Sequence, residues 1–184
     1  MITVFENIST ILQTVSPADA ADICKLRNNP GINKYLSSSE AVSEDQQRIW
    51  INNNLEKGDG LYLKILDRKS REFSGTISIY NVDRTNNYAD FGRYICTSPL
   101  HSIEAEWMVL QIGFDIMRLE KMYCRTAEEN TKVWNQHYKF GFIDDGFELL
   151  EPKKLVIRKQ ELTTGQFRNF DYSKIIKLIE RFGK

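Results

Sequence analysis

The spacing of apolar residues changes period several times along this chain, and each change marks an element. Residues 3–15 read as a first strand region. Pro17 then opens a helix, which the run Ala20, Ala21, Asp22, Ile23, Cys24, Lys25, Leu26, Arg27 carries to about Asn28. Proline suits a helix start because the first turn needs no amide donor. Asn29-Pro30-Gly31 is punctuation. Ser43 is placed to cap a second helix, with Ile49, Trp50 and Leu55 on helical spacing and a stop at Lys57-Gly58-Asp59-Gly60. The period then shifts to that of strands over residues 61–66, 73–82 and 88–95, joined at 67–70 and 83–87 by segments suited to hairpins. Residues 102–117 form a strongly apolar helix whose polar positions, Glu104, Gln111 and Asp115, make one narrow stripe; such a helix is buried against a sheet. A strand (121–127), a helix (131–140), a strand (142–150) and its hairpin partner (156–162) follow.

This order predicts an α/β fold with a mixed, largely antiparallel central sheet and flanking helices. The strand-helix-strand from Tyr88 to Ala127 should be a parallel right-handed crossover. Residues 1–162 read as one domain. Residues 163–184 are expected to be a helical appendage on it, with Tyr172, Ile175, Ile176, Ile179 and Phe182 on one face. That face either covers the core or meets a second copy in a homodimer.

Composition narrows the function. A chain of 184 residues with 41% hydrophobic and 27% charged residues buries a core without staples or metals. The net charge of zero argues against nucleic acid as the main partner. Lys153-Lys154 and Arg158-Lys159 read as solvated faces. No signal-peptide pattern or membrane-length apolar run occurs, so a cytoplasmic location without membrane contact is expected. Cys24, Cys96 and Cys124 lie in apolar stretches and read as buried thiols. His101 and His137 have no partner at ligand spacing, and no metal is expected.

The segment Asn130-Thr-Lys-Val-Trp-Asn-Gln-His-Tyr-Lys-Phe-Gly141-Phe142, closed by Asp145-Gly146, resembles the late motif of the GCN5-related N-acetyltransferases. Residues 89–95, Ala-Asp-Phe-Gly-Arg-Tyr-Ile, resemble that family's strand beside the pantetheine arm of coenzyme A. Glu104-Ala105 and Phe114-Asp115 sit where the family's central helix has similar residues. Leu26-Arg27-Asn28-Asn29-Pro30 and the Trp50 helix are similar to the branch that includes ribosomal-protein and bacterial amino-sugar acetyltransferases.

The resemblance implies acetyl-coenzyme A as cosubstrate and a small-molecule amine as acceptor. The amine must be neutral to attack, so a base or a water chain takes its proton. Asp90 occupies the position where several members carry a Glu, and as a shorter acid it is expected to act through water. His137 matches the position of the Tyr that protonates the departing thiolate in many members. Tyr138, one residue on and about 100° around a helix, is the alternative. Asn130 is implied to hydrogen-bond the pantetheine arm, or to cap its helix. The strand residues Tyr94, Ile95 and Cys96 are implied to meet the cofactor.

The family's diphosphate loop is glycine-rich. Here it reads Thr97-Ser98-Pro99-Leu100-His101-Ser102-Ile103, without glycine. The amides of Ser102, Ile103 and Glu104 are left to face the anion, with Ser102 and His101 adding donors. The expected activity is acetyl-CoA-dependent N-acetylation of a small amine, with a nucleotide-linked amino sugar preferred. A protein N-terminus is the rival acceptor, and a degenerate binding or interaction module the rival from another class.

Overall fold

The computed structural model describes residues 4–36, 40–151 and 153–183. Strands β1 (Val4–Glu6), β2 (Thr10–Thr14), β3 (Leu61–Asp67), β4 (Phe73–Asp83), β5 (Tyr88–Cys96), β6 (Lys121–Ala127), β7 (Ile143–Leu150) and β8 (Leu155–Thr163) make one sheet in the order β1-β2-β3-β4-β5-β6-β8-β7. Among the described residues only the β5–β6 pair is parallel. This is the expected mixed, largely antiparallel α/β architecture. The first strand region differs: it is a hairpin, turned at Asn7, whose amide donates to the Thr10 carbonyl at 2.9 Å. Asn7 and Ser9 are turn formers that interrupt the extended run. The expected start at Thr3 lies outside the described residues. The last hairpin docks through β8, so β7 becomes the sheet edge.

Helices cover both faces. On one, a short 3-10 turn at Pro17–Asp19 leads into α1 (Ala20–Arg27), followed by α2 (Pro30–Asn33) and α3 (Glu44–Lys57). Val15, Ala20, Ile23 and Ile51 pack there against Tyr62 of β3. Ser43 caps α3 in a reciprocal box with Gln46, and Gly58 ends it at φ 63°. The buried face of α3 differs from the expected one. Gln47 and Ile51 are inside, while Ile49 is 60% exposed. On the other face, α4 (Pro99–Gln111) runs into a π-helical turn (Ile112–Ile116), and α6 (Thr164–Asn169) and α7 (Ser173–Phe182) close the core. Phe167, Tyr172, Ile175 and Ile179 join Leu12, Ile79, Phe91 and Leu110 in one cluster. Ile176 and Phe182, expected on the same stripe, are exposed.

Two features of this frame position the site. First, α4 starts at Pro99, three residues before the apolar pattern placed it, because Ser98 caps it and Pro99 fills the first position. The expected solvent stripe is also wrong at Glu104, which is 0% exposed, as is Glu106. Second, β5 and β6 pair only from Tyr88–Lys121 to Phe91–Cys124. Beyond that point β6 pairs with β8 alone, and residues 92–96 of β5 face a gap. A bulge lies at the divergence: Ser78 pairs with Gly92 and Thr76 with Ile95, so β5 carries an extra residue there. Arg93 sits in it at φ 48°. Bulges bend a strand and raise its twist, which is what separating two neighbours requires.

After β6 comes α5 (Thr131–Lys139), ended by Gly141 at φ 90°. A Cβ at Gly141 would also come within 2.9 Å of the Phe170 ring, so only glycine fits the turn.

Candidate active site

The gap lies where two parallel strands end and two helices begin. Residues 97–98 join β5 to α4, and residues 128–130 join β6 to α5, so both helix starts stand at its mouth. Crevices at the carboxyl ends of parallel strands are common ligand sites in open sheets.

One polar network ties β5, α4 and α5 together beside the gap. The Tyr94 hydroxyl donates to the Ser102 carbonyl at 2.6 Å and touches the Ser102 hydroxyl. Gln136 Nε2 donates to the Tyr94 hydroxyl at 2.9 Å, to Ser102 Oγ at 3.0 Å and to Glu106 Oε2 at 2.7 Å. The other Glu106 oxygen faces His137 Nδ1 at 2.7 Å. His137 is 2% exposed, so it is no surface histidine. Its ring packs edge-on to Phe91 at 5.3 Å and against Phe142 at 5.4 Å. A buried carboxylate without donors is very costly; here Gln136 and His137 supply them. With Nδ1 donating to Glu106, Nε2 is the ring nitrogen left for another partner. Burial and the Glu106 charge push the Tyr94 phenol well up, so it remains a neutral donor.

Asp90 lies on the opposite face of β5, since alternate strand residues point to opposite sides and Phe91 faces His137. Its carboxylate accepts from Asn81 Nδ2 at 2.7 Å. On the α3 side of the sheet, Arg93 donates to Asn54 Oδ1 at 2.7 Å and lies 4.2 Å over Tyr80 and 4.9 Å over Trp50. Desolvation pulls its guanidinium below the ordinary value. A left-handed residue costs about 1–2 kcal/mol. Two partly desolvated cation–π contacts of about 1–2 kcal/mol each offset that.

Other expected residues have different surroundings. Both ring nitrogens of His101 are engaged, Nδ1 with Ser74 Oγ at 2.8 Å and Nε2 with Asp67 at 3.1 Å. They fasten the start of α4 to the β3–β4 hairpin. Backbone amides of Ser70 and Lys69, with a smaller contribution from His101, hold Asp67 below the usual carboxylate range. Glu104 points to the β1–β2 turn, where Ser9 and Thr10 donate to it, the latter at 2.7 Å. The Ser102 amide is already bonded to the Ser98 carbonyl at 2.9 Å. The Ile103 side chain packs on the main core. With α4 starting earlier than expected, its first-turn amides belong to Leu100 and His101, and Ser98 Oγ caps the latter at 3.3 Å.

Ile95 and Cys96 pair with β4 and end the part of β5 that has no β6 partner, and burial pushes the Cys96 thiol up to about 11 while the Lys132 charge on α5 opposes it. Asn130 is the N-cap residue of α5 but makes no side-chain capping bond. Tyr138 faces away: its hydroxyl donates to Asp144 at 2.6 Å and accepts from Arg158 at 2.9 Å, and Asp144 raises its phenol. Arg158 is no solvated face either, since it pairs with Glu128 at 2.8 Å and lies over Trp134 and Phe147.

Sequence reasoning missed Glu106, Gln136 and Arg93. The available signal for Glu106 was a second carboxylate two residues after Glu104, among the most apolar positions of the chain.

Comparison with known proteins places this geometry. Among curated proteins none matches the sequence. The fold is similar to that of a spermidine N-acetyltransferase from Vibrio cholerae in complex with CoA and spermine, at TM-score 0.77 and 19% identity over 89% of this chain and 100% of that one. It is similar to a GCN5-related N-acetyltransferase from Brucella melitensis, at TM-score 0.79 and 13% identity over 99% and 86%. A third similar structure is apo FdhC, a nucleotide-linked sugar GNAT, at TM-score 0.77 and 20% identity over 97% and 99%. At such identities these show the fold alone. The family model described as acetyltransferase (GNAT) domain matches residues 10–143. That match spans well over half the chain, which therefore belongs to the GNAT acetyltransferase family and is an acyltransferase.

Proposed function

We propose that this enzyme transfers an acetyl group from acetyl-coenzyme A to the primary amine of a small molecule, with a nucleotide-linked amino sugar as the preferred acceptor class. The observation that carries the reading is the β5–β6 gap, with Asp90 on one face of β5 just before it opens and the Glu106–His137 pair on the other face. The cosubstrate supplies an activated acetyl thioester. The residues present suit it: the β5 amides on the gap side have no β6 partner, the Asn130 side chain makes no capping bond, and Lys132 lies beside the gap mouth.

The acyl exchange then divides across β5. Asp90, through a water, takes the proton that the attacking nitrogen must lose. Amides among residues 92–96 that point away from β4, where no β6 residue meets them, donate to the carbonyl oxygen as it gains charge. The carbon–nitrogen bond forms, the carbon–sulfur bond breaks, and His137 gives a proton to the leaving sulfur while Glu106 holds its ring. Tyr138 has no part, because its phenol is committed to Asp144 and Arg158.

The similar structures include both a polyamine and a nucleotide-sugar acetyltransferase. Support for the sugar comes from the resemblance of the Leu26–Pro30 region and the Trp50 helix. The test is to incubate the protein with acetyl-CoA and, separately, a nucleotide-linked amino sugar, spermidine and a peptide with a free N-terminus. Thiol release and acetylated product by mass spectrometry are the readouts. Product with the sugar supports the proposal, and product with the peptide alone transfers it to protein N-termini. Bound coenzyme A with no product from any amine would leave a binding module.

A further inference from the structure

Among the described residues, two buried side-chain nitrogens lack a hydrogen-bond partner: Arg27 Nε and Gln47 Nε2. Both residues line the same cavity of about 240 Å³, with Val42, Gln46, Trp50 and the exposed Glu40. Arg27 ends α1, and Gln47 sits beside Ile51 on the buried face of α3, at 2% exposure. An apolar residue would serve packing better at that position. Native proteins rarely leave buried donors unpaired, and such groups point to a partner that is not part of the chain.

Both orphans are N–H donors, so the partner must bring acceptor oxygens, and Arg27 favours oxygens that carry negative charge. A polyamine brings only donors and positive charge. Glu40 brings a carboxylate to the same lining, so selection rests on directed hydrogen bonds more than on net charge. Trp50 is both a wall of this cavity and a stacking surface for Arg93 at the β5 bulge. An end group held in the cavity thus lies across Trp50 from the Asp90 face of β5. At about 240 Å³ the cavity is smaller than a typical whole-ligand site of about 300–1,000 Å³. It is sized for an end group, with the rest of the acceptor extending outward.

We infer that the acceptor is an amine carrying an oxyanion, a carboxylate or a phosphate, which Arg27 and Gln47 hold. This rests on the acetyltransferase reading and names the acceptor class for it.

The test is kcat/KM with acetyl-CoA for matched amines: γ-aminobutyrate against butylamine, and glucosamine 6-phosphate against glucosamine, with spermidine as the cation-only case. The expected result is a preference of about tenfold or more for the charged member of at least one pair, the size of one charge-assisted hydrogen bond. The pair that responds tells carboxylate from phosphate. Arg27→Lys, which keeps the charge but moves the donors, and Gln47→Leu should each reduce the preference. Gln47→Leu should also raise Tm, because it removes an unpaired buried amide. A merely structural Gln47 would not move the substrate ratio. Preference for spermidine or the uncharged amines, or an unchanged ratio in Gln47→Leu, would overturn the inference. If no amine is acetylated although coenzyme A binds, the acetyltransferase reading fails. The cavity is then judged by Tm shifts with γ-aminobutyrate and glucosamine 6-phosphate alone. A shift seen in the parent protein and lost in Gln47→Leu keeps the cavity assignment, and its absence overturns it.

Discussion

Glu104 and Glu106 are two residues apart on one helix, both are 0% exposed, and they do different things. Glu104 turns toward the β1–β2 hairpin and accepts from the Ser9 amide and from the hydroxyls of Ser9 and Thr10. Its partners do not titrate near neutral pH, so the cluster is a fastening between α4 and the sheet. Glu106 turns toward α5 and accepts from Gln136 and His137. One of its partners is an imidazole, and that ring packs on Phe91, where β5 and β6 separate. The same residue type, helix and burial thus yield a clasp on one side and, on the other, the pair that the proposed mechanism uses. The nature of the donors makes the difference.

The largest expected effect tests that pair. His137→Ala should lower kcat about 10²–10⁴-fold at saturating acetyl-CoA, the usual contribution of a general acid. His137→Tyr should recover much of this, and Tyr138→Phe should stay near the parent value. A crippled Tyr138→Phe beside a mild His137→Ala would move the chemistry to the β7–β8 side and leave Glu106 a second clasp. Next in size, Glu106→Gln should lower kcat about 10- to 100-fold, which is the loss of a charged hydrogen bond of about 1.5–3 kcal/mol from the reacting state.

Asp90→Asn carries the comparison to the other face of β5. It should cut turnover about tenfold, less than a directly placed base would lose. The deficit should grow as pH falls and more of the amine is protonated, and a flat ratio across pH would make Asp90 a surface residue. The smallest effect on rate belongs to Glu104→Gln, whose kcat should match the parent well below its Tm. Its loss appears in stability, about 1.5–3 kcal/mol, or roughly 3–12 °C in Tm. A kcat loss at Glu104 as large as at Glu106 would erase the distinction.

The sheet was legible because its strands show their own period and the hairpin joints carry Asp, Asn and Ser. The site was less so. Ser98-Pro99 announced the start of α4, but the dense apolar run after Ser102 obscured it, and the helix start was placed about one turn too late. In α3, Ile49, Trp50 and Leu55 share helical spacing, yet the face that packs holds Gln47 and Ile51. Periodicity identifies an apolar face but does not say which face a neighbouring strand will cover. Glu106 was invisible for a similar reason. Its meaning depends on His137, 31 residues later, and only the fold joins them. Within the late motif, His137 and Tyr138 differ because a helix converts one residue of offset into a different direction. The structure sends the first toward β5 and the second toward Asp144.

The central claim is that the β5–β6 gap holds acetyl-coenzyme A, and amide hydrogen exchange with and without that cosubstrate tests it most directly. Saturating ligand should protect residues 92–96 of β5 together with the starts of α4 and α5, and leave the β1–β2 clasp of Glu104 unchanged. Unaltered exchange at residues 92–96 under millimolar acetyl-coenzyme A, or protection confined to other parts of the sheet, would contradict the account.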